Sequence, residues 1–269
     1  MEHPINGKLK DKKLYILDMD GTIYLDETPL PGAREFVARA KRLGKRIIFF
    51  TNNASKSIGM YYEKLNRLGF EVGENDLFSS ADVTVDFLKK NHPGKEVYLV
   101  GTPALQSTFE KSGVKLTDGD GADIVVSSFD TTLTYEKLVK ACHLIKNGSL
   151  FYSTHPDLTC PVVGGFIPDS GAICALITAA TGVSPRYFGK PFRETADYLI
   201  KQAGVDFSPA SSVIVGDRLY TDIALGKQNG ITSVLVLSGE TTRHDLLDVD
   251  DLLRPDFICE QIENLVCEL

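Results

Sequence analysis

Short apolar runs alternate with amphipathic helical stretches along this chain, and that alternation restricts it to an α/β architecture. The apolar runs lie at 14–17, 46–50, 96–100, 124–127, 150–152, 212–215 and 232–237. The helical stretches lie at 31–44, 57–68, 134–146, 171–181, 193–203 and 221–229. The runs are apolar at nearly every position, which is typical of parallel strands covered by helices on both faces. We therefore predict a doubly wound parallel sheet.

With 269 residues, 43% of them apolar and 24% charged, the chain has an ordinary globular composition and room for one large or two modest domains. Its net charge is −7 and it carries no basic block, so neither a nucleic-acid polymer nor an anionic membrane is an expected partner. No apolar stretch approaches the length of a membrane span, and the first residues lack the apolar core of a signal peptide. Five cysteines without a CxxC pair favour free thiols in a reducing compartment, which predicts a cytoplasmic protein.

Four of the apolar runs are followed by reactive side chains. These are Asp18 after YIL, Thr51 after IIFF, Lys190 after the YFG run and Asp217 after VIVG. Ligands of open α/β sheets bind beyond the carboxyl ends of the strands, so these four residues are candidates for one site. Other runs end in small residues, as in VYLVG and VLVLSG, and are interpreted as structural.

Paired carboxylates mark the first of these junctions. Asp18 and Asp20 stand two residues apart and are followed by Gly21, which permits a tight turn close to a ligand. Together with Asp217 they could form an all-oxygen site of the kind that suits Mg²⁺. A turn with a helix-capping aspartate is the competing interpretation of Asp18–Gly21, and Asp222 could equally be an N-terminal helix cap.

In order, the four motifs resemble those of the haloacid dehalogenase-like phosphatases. They are Asp18-Met-Asp-Gly-Thr22, Thr51-Asn-Asn53, Gly189-Lys190-Pro191 and Gly216-Asp217 through Asp222. Thr22-Ile-Tyr-Leu with Pro31-Gly32, and the segment 236–241, resemble the NagD-like and p-nitrophenylphosphatase-like members, subfamily IIA. The resemblance implies a Rossmann-like core with an inserted α/β cap of the C2 type. It also implies an Mg²⁺-dependent phosphatase that hydrolyses small phosphomonoesters, such as nucleotides or sugar phosphates, through an aspartyl-phosphate.

In this family the first aspartate, here Asp18, is the nucleophile, and Asp20 is the general acid and base. The resemblance implies that Mg²⁺ is held by the Asp18 carboxylate, the Asp20 carbonyl and Asp217, with Asp222 bracing them. Thr51 and the amides of Asn52 and Asn53 would bind the phosphoryl oxygens. Lys190 would pair with both the phosphate and Asp18. The functional residues implied are thus Asp18, Asp20, Thr51, Asn52, Asn53, Lys190, Asp217 and Asp222.

Two other functions share these motifs. A phosphotransferase or mutase could use the same aspartyl-phosphate, although such members usually carry a cap between the first two motifs, where only 33 residues separate Asp18 from Thr51. A non-catalytic phosphate-binding module would be expected to have lost Asp18, Asp20 or Lys190, and all three are present. Hydrolysis of small phosphorylated metabolites is therefore the favoured prediction.

The spacing of the motifs places a second domain between Thr51 and Lys190. The 139 residues between them exceed the need of one crossover by about 100 residues, enough for a separate core. We predict a catalytic core at 1–79 and 185–269 and an inserted cap at 80–184. By analogy with the family the cap would recognise the leaving group, and a homodimer through the cap is conceivable.

Within the predicted cap, the segment Ser153-Thr154-His155-Pro156-Asp157 follows an apolar run. Similar NagD-like members have Asn-Pro-Asp here, so this chain has His155 where asparagine is usual. Both His155 and Asp157 are candidates for substrate binding, with a turn before Pro156 as the alternative for the histidine. Asp130 and Asp169 occupy similar loop ends and are weaker candidates.

Overall fold

The computed structural model describes residues 7–73, 75–162 and 164–269. Over these residues the chain forms two compact units, one of 7–51, 59–78 and 190–269, and the other of 52–58 and 79–189. The second unit thus takes the seven residues after Thr51 as well as a continuous stretch close to the predicted insertion at 80–184.

The first unit contains a six-stranded sheet with the order β15-β14-β13-β1-β4-β5. Strand β1 is the centre of this sheet, pairing in parallel with β13 on one side and β4 on the other. All four of its residues are buried, which explains why the run is apolar without alternation. A small antiparallel hairpin, β2 with β3, follows β1. The strands are β1 Leu14–Leu17, β2 Tyr24–Leu25, β3 Thr28–Pro29, β4 Arg46–Thr51, β5 Leu77–Ser79, β13 Ser212–Gly216, β14 Thr232–Val236 and β15 Phe257–Cys259.

Helices pack against this sheet through apolar faces. The helix after β3 buries Phe36 against Tyr15 of β1, with ring centroids 5.5 Å apart in an edge-to-face arrangement. On the next strand, Phe49 makes a similar edge-to-face contact with Phe70, which lies in the loop after α2, at 6.2 Å between ring centroids. The helices of this unit are α1 Ala33–Arg42, α2 Ile58–Arg67, α7 Arg193–Ala203 and α8 Ala224–Asn229.

The second unit has its own parallel sheet of five strands with the order β12-β9-β8-β6-β7. Its core is a cluster that joins β8 and β9 to two helices, with Val125, Phe151, Leu144 and Ile177 among its buried members. The residues between β9 and the last helix of the unit form an exposed antiparallel hairpin, in which β10 pairs with β11. The elements are α3 Ser80–Asn91, β6 Glu96–Val100, α4 Pro103–Lys111, β7 Lys115–Leu116, β8 Ile124–Ser127, α5 Tyr135–Lys146, β9 Leu150–Ser153, β10 Thr159–Val162, β11 Gly165–Pro168, α6 Ser170–Thr181 and β12 Arg186–Tyr187.

The predicted α/β fold built on parallel sheets is confirmed. One helix differs from the prediction at 221–229, because the segment begins as a π-helical turn over Leu219–Ile223 and becomes α-helical only from Ala224. That wider turn presents Asp222 to the end of β13 rather than simply capping the helix. Among the described residues, no helix has both the length and the apolar character needed to cross a membrane.

The carboxylate of Asp76, just before β5, is hydrogen-bonded to residues of α1 and β4 at the edge of the first sheet. Asp76 accepts hydrogen bonds from Arg46, from Lys41 at 3.1 Å and from the Gly73 amide at 2.9 Å. Burial acts to raise the pKa of Asp76, but these donors outweigh it and lower the pKa below its ordinary value. The ionised form is therefore stabilised in the folded protein.

We expect Asp76→Asn to lower the free energy of unfolding at pH 7 by about 1–2 kcal/mol, because charge-assisted bonds at a partly exposed site are lost. A group whose folded pKa is depressed contributes stability above its unfolded pKa of about 4, and that contribution is lost as the pH falls through the folded value. The difference between wild type and variant should therefore shrink in acid, measured by urea denaturation from pH 7 to pH 3. Asp120→Asn, at the exposed Lys140 ion pair, should leave the curve unchanged. A pH-independent Asp76→Asn effect would contradict this account.

Candidate active site

The site of the first unit lies where three neighbouring strands end at the same level. Leu17 of β1 is paired with Phe49 of β4 and with Val215 of β13. The next residues along the three strands are therefore brought to one edge of the sheet, including Asp18, Thr51 and Asp217. This register follows from the buried, uninterrupted apolar strands, which cannot slip without exposing their side chains.

Lys190 is held between two carboxylates at this edge. Its Nζ donates hydrogen bonds to Oδ1 of Asp18 and, at 2.7 Å, to Oδ1 of Asp222. The Lys190 side chain is only 3% exposed, and its Nζ lies 5.6 Å from the centre of the Phe50 ring. Two carboxylates and an aromatic face therefore fix the position of the lysine ammonium group.

Asp217 is oriented by the loop that follows β14. The Glu240 amide donates to Oδ2 of Asp217 at 2.7 Å, and the Thr241 amide donates to its carbonyl at 3.1 Å. Gly239 is required for this approach, because a Cβ there would lie 2.0 Å from Oδ2. The other carboxylate oxygen, Oδ1, is buried and has no hydrogen-bond partner within residues 7–73, 75–162 and 164–269. One oxygen is thus anchored while the other is left for a ligand.

The electrostatics of this cluster show an excess of negative charge. Burial raises the pKa of Asp18 well above its ordinary value, against the lowering effect of Lys190. Burial, with a further contribution from Asp222, raises the pKa of Asp217 to about 7. Burial alone would lower the pKa of Lys190, but Asp18 and Asp222 more than compensate and raise it. The lysine therefore remains charged, and the carboxylates need more positive charge than it supplies.

The donor set fits a divalent metal ion. Ligand atoms of Asp18, Asp217 and Asp222 lie within 4.8 Å of one another. Asp222 is already engaged, through Oδ1 by Lys190 and through Oδ2 by the Arg218 amide at 3.2 Å. The unpartnered Oδ1 of Asp217 and the carboxylate of Asp18 are hard oxygen donors, which suit Mg²⁺.

Asp20 and Thr51 are the other predicted residues of this unit. Asp20 is exposed, two residues beyond the partly buried Asp18, and its backbone forms a bridge with Tyr24. The turn is closed by the Gly21 amide, which donates to the Tyr24 carbonyl at 2.8 Å. Thr51 is buried at the end of β4. Asp20 thus lies in the turn that leads from β1 into the β2–β3 hairpin.

Most of the predicted residues of the second unit lie in a buried network of hydrogen bonds. The Asn52 side-chain amide donates to Asp157 at 3.1 Å, and the Asn52 carbonyl accepts a hydrogen bond from Ser80 at 2.5 Å. His155 is fully buried, and its Nε2 lies 2.8 Å from Oδ1 of Asp169. Asn53 accepts hydrogen bonds from Ser55 through its side-chain oxygen.

Two features of these networks escape sequence analysis. The run VLVLSG ends in small residues and is interpreted as structural from sequence, yet the amide of Glu240, the next residue, donates to Asp217. The small residue itself is the available signal, since glycine permits such close approach. The partner of His155 is Asp169, 14 residues further on, and sequence spacing alone cannot identify it.

Comparison with known proteins places these features in a family. A family model for haloacid dehalogenase-like hydrolases matches residues 15–115, and a second, HAD-hydrolase-like model matches residues 187–265. The crystal structure of 4-nitrophenylphosphatase from Thermotoga maritima is 41% identical, with 98% of this chain and 99% of that chain covered and a TM-score of 0.91. The structure of glycerol phosphate phosphatase from Mycobacterium tuberculosis in complex with magnesium is 30% identical, with 96% and 78% covered and a TM-score of 0.87. The acid sugar phosphatase of Staphylococcus aureus strain MRSA252 is 31% identical over 97% of this chain and 99% of its own.

Together with these matches, the parallel α/β fold with acidic groups at its strand ends indicates a hydrolase of phosphate esters. The chain belongs to the haloacid dehalogenase-like hydrolases, in the branch of NagD and the p-nitrophenylphosphatases. The resemblance seen in its four motifs is confirmed.

Asp217→Asn tests the metal site without reference to turnover. The amide keeps the shape of the side chain but cannot offer two charged oxygens, so we expect Mg²⁺ affinity to fall at least about tenfold. Isothermal titration calorimetry with MgCl₂ would measure it. Asp248→Asn, at an exposed position of the same unit, is the matched control and should bind as wild type does. Unchanged affinity in Asp217→Asn would exclude Asp217 as a ligand.

Proposed function

We propose that the protein is a Mg²⁺-dependent phosphatase that hydrolyses small phosphomonoesters through an aspartyl-phosphate on Asp18. The observation that supports this most directly is the buried Lys190 bridging Asp18 and Asp222, beside an Asp217 oxygen without a partner. Phosphoryl transfer depends mainly on positioning and charge stabilisation, and this cluster supplies both.

In the first step, a carboxylate oxygen of Asp18 attacks phosphorus and the bond from phosphorus to the ester oxygen breaks. Asp20 donates a proton to that leaving oxygen, so the alcohol departs neutral. Lys190 keeps Asp18 oriented for attack through the hydrogen bond between them. Exposure of Asp20 is consistent with a group that must exchange protons with substrate and water.

In the second step, water attacks the phosphorus of the aspartyl-phosphate. Asp20 accepts a proton from this water, the phosphorus–Asp18 bond breaks, and inorganic phosphate leaves with Asp18 regenerated. The Thr51 hydroxyl and the amides of Asn52 and Asn53 bind phosphoryl oxygens in both steps. Asp18, the Asp20 carbonyl and Asp217 would hold a magnesium ion, which would supply positive charge to neutralise the phosphoryl oxygens.

The names of two relatives support a narrower substrate class. Two of the relatives carry names that specify a sugar phosphatase and a glycerol phosphate phosphatase, which supports a small polyhydroxylated phosphomonoester. We assign leaving-group recognition to the unit at 52–58 and 79–189, acting as a cap. Exclusion of water by such a cap strengthens the charge interactions at the phosphoryl group.

Phosphate release from a panel of sugar phosphates, polyol phosphates, nucleotides and 4-nitrophenyl phosphate tests this function. We expect release with Mg²⁺ that is abolished by a chelator, with sugar or polyol phosphates ranking above nucleotides. Tight binding of beryllofluoride, a mimic of the aspartyl-phosphate, should accompany it and be absent in Asp18→Asn. Beryllofluoride binding without any phosphate release would indicate a phosphate-binding module, and transfer of the phosphoryl group to an added alcohol in place of water would indicate a phosphotransferase.

A further inference from the structure

A buried histidine–aspartate pair lies in the second unit at the start of helix α6. His155 and Asp169 are 0% and 3% exposed, and Nε2 of the histidine is 2.8 Å from Oδ1 of the aspartate. The same Oδ1 accepts the Ser170 amide at 2.5 Å, so Asp169 also caps α6. With the carboxylate accepting, we assign the proton to Nε2 of the ring. The pair therefore joins the loop after β9 to a helix terminus.

The other ring nitrogen faces two hydroxyl groups. Nδ1 of His155 lies 2.9 Å from Oγ1 of Thr154 and 3.4 Å from Oγ of Ser80. Ser80 in turn donates to the Asn52 carbonyl at 2.5 Å. Because the single hydroxyl proton of Ser80 goes to Asn52, Thr154 is the hydroxyl that donates to Nδ1, and Ser80 lies against the ring as a packing contact. His155 thus packs against the side chain that holds the segment after Thr51.

Asn52 is held at a second point by the same loop. Its side-chain amide donates to Asp157, two residues after the histidine, while the Asp157 carbonyl accepts the Gly171 amide of α6 at 2.8 Å. Because a trans peptide places C=O and N–H on opposite sides, fixing the Asn52 carbonyl on Ser80 also fixes the direction of the Asn53 amide. That amide is one of the proposed phosphoryl ligands.

Gly189 gives a third connection. It has a φ of +71°, and a Cβ at this position would lie 2.7 Å from Oδ1 of Asn52 and 3.0 Å from Cβ of His155. Gly189 therefore packs against both side chains, and the next residue in the chain is Lys190. His155 has a partner at each ring nitrogen, and it also contacts Ser80 and Gly189. Ser80 holds Asn52, and Gly189 directly precedes Lys190.

We propose that His155 is a positioning residue that, together with Asp169, fixes Asn52 and Gly189 and so tunes phosphoryl binding for every substrate. This role rests on the proposed phosphatase function and differs from the leaving-group contact that the sequence suggests for His155. A direct contact requires an accessible ring, whereas this ring is fully buried with partners at both nitrogens.

Two substitutions of His155 test the contacts of its two ring nitrogens one at a time. In His155→Asn the amide can take the place of Nδ1 and the bond to Asp169 is lost, whereas in His155→Gln the amide can replace Nε2 and the contacts to Thr154 and Ser80 are lost. We expect each to weaken inhibition by inorganic phosphate by about tenfold, the loss of roughly one hydrogen bond to a fixed group. The relative kcat/KM values across the substrate panel should keep their order. His143→Asn, on the exposed face of α5, is the control and should match wild type.

A double-mutant cycle tests the connection to Asn52. Phosphate affinity is measured by calorimetry with Mg²⁺ for His155→Asn, Asn52→Ala and the double variant. Coupled residues should be non-additive, so the second substitution should cost less than about threefold in the background of the first. Additive losses would overturn the proposal. Thermal melts identify variants that fail to fold, and Asp169→Asn, which keeps the shape of the carboxylate, then provides a milder break of the same pair.

Three other outcomes would also overturn it. Unchanged phosphate affinity with a lower kcat would make the pair merely structural, and a changed substrate order with unchanged phosphate affinity would make His155 a recognition residue. Stoichiometric Zn²⁺ uptake lost in His155→Asn would instead identify a metal site at His155, Asp157 and Asp169, whose donor atoms lie close together. A wild-type protein without metal-dependent phosphate release would refute the proposed function, which is a different result from any of these.

Discussion

Asp18→Asn should abolish phosphate release while leaving the protein folded. The amide oxygen is a far poorer nucleophile than a carboxylate, so we expect kcat to fall by at least about 10³-fold. Asn has nearly the same shape and can still accept the hydrogen bond from Lys190. Because burial already disfavours the charged form of Asp18, removing that charge should not lower the melting temperature of the metal-free protein.

Steady-state kinetics with the best substrate of the panel, together with thermal denaturation, would measure both effects. Asp248→Asn, which neutralises an exposed carboxylate of the same unit, is the control and should keep wild-type turnover. Near wild-type kcat in Asp18→Asn would exclude this residue as the nucleophile. Loss of turnover together with a large drop in melting temperature would point to a structural defect instead.

Lys190→Met should affect both turnover and stability. Removing the ammonium group takes away charge stabilisation of the phosphoryl group, for which we expect a loss of about 10²–10³-fold in kcat. It also leaves Asp18 and Asp222 buried without their cationic partner, which costs about 3–5 kcal/mol when a buried ion pair is broken. The carboxylates relieve part of this cost by taking up protons.

The loss of stability in Lys190→Met should depend on pH in a definite direction. The pKa of Asp18 is raised well above its unfolded value and that of Asp217 is raised to about 7 in the metal-free protein, mainly by burial, and loss of Lys190 raises both further. Groups with a raised folded pKa bind extra protons in the folded state, so stability is lost as the pH rises through that pKa. With a chelator present, the free energy of unfolding that Lys190→Met loses relative to wild type should therefore be larger at pH 8 than at pH 6.

Denaturant titrations at both pH values would test this prediction. Lys227→Met is the matched control, since Lys227 forms an ion pair with Asp256 at 2.7 Å but is 30% exposed, and such pairs contribute only about 0–1 kcal/mol. Equal losses in the two variants would contradict the buried-charge account. A loss of stability in Lys190→Met that becomes smaller as the pH rises would contradict the predicted pH dependence.

Much of the fold could be predicted from the sequence because the strands are mostly apolar and mostly buried. Strands β1, β6, β8 and β13 lie within one residue of the predicted runs. Helix α4 is not among the predicted helices, although Thr102 and Pro103 form a recognisable N-terminal cap. The β10–β11 hairpin is mostly exposed and contains prolines, so it lacks the burial pattern from which strands are predicted.

The sequence by itself determined which groups carry the chemistry, because polar side chains that follow buried parallel strands must gather at one edge of the sheet. Asp18, Thr51 and Asp217 are identified in this way, whereas Lys190 follows β12, a strand of the other sheet, so the assumption that all four follow strands of one sheet is wrong for the lysine. The tertiary structure alone decided how they are arranged. It brings Lys190 onto Asp18, 172 residues away, and leaves Oδ1 of Asp217 without a hydrogen-bond partner in the part of the chain that the structure describes. The reason is that hydrogen bonds form only at separations near 3 Å, which depend on strand register and loop packing rather than on spacing along the chain.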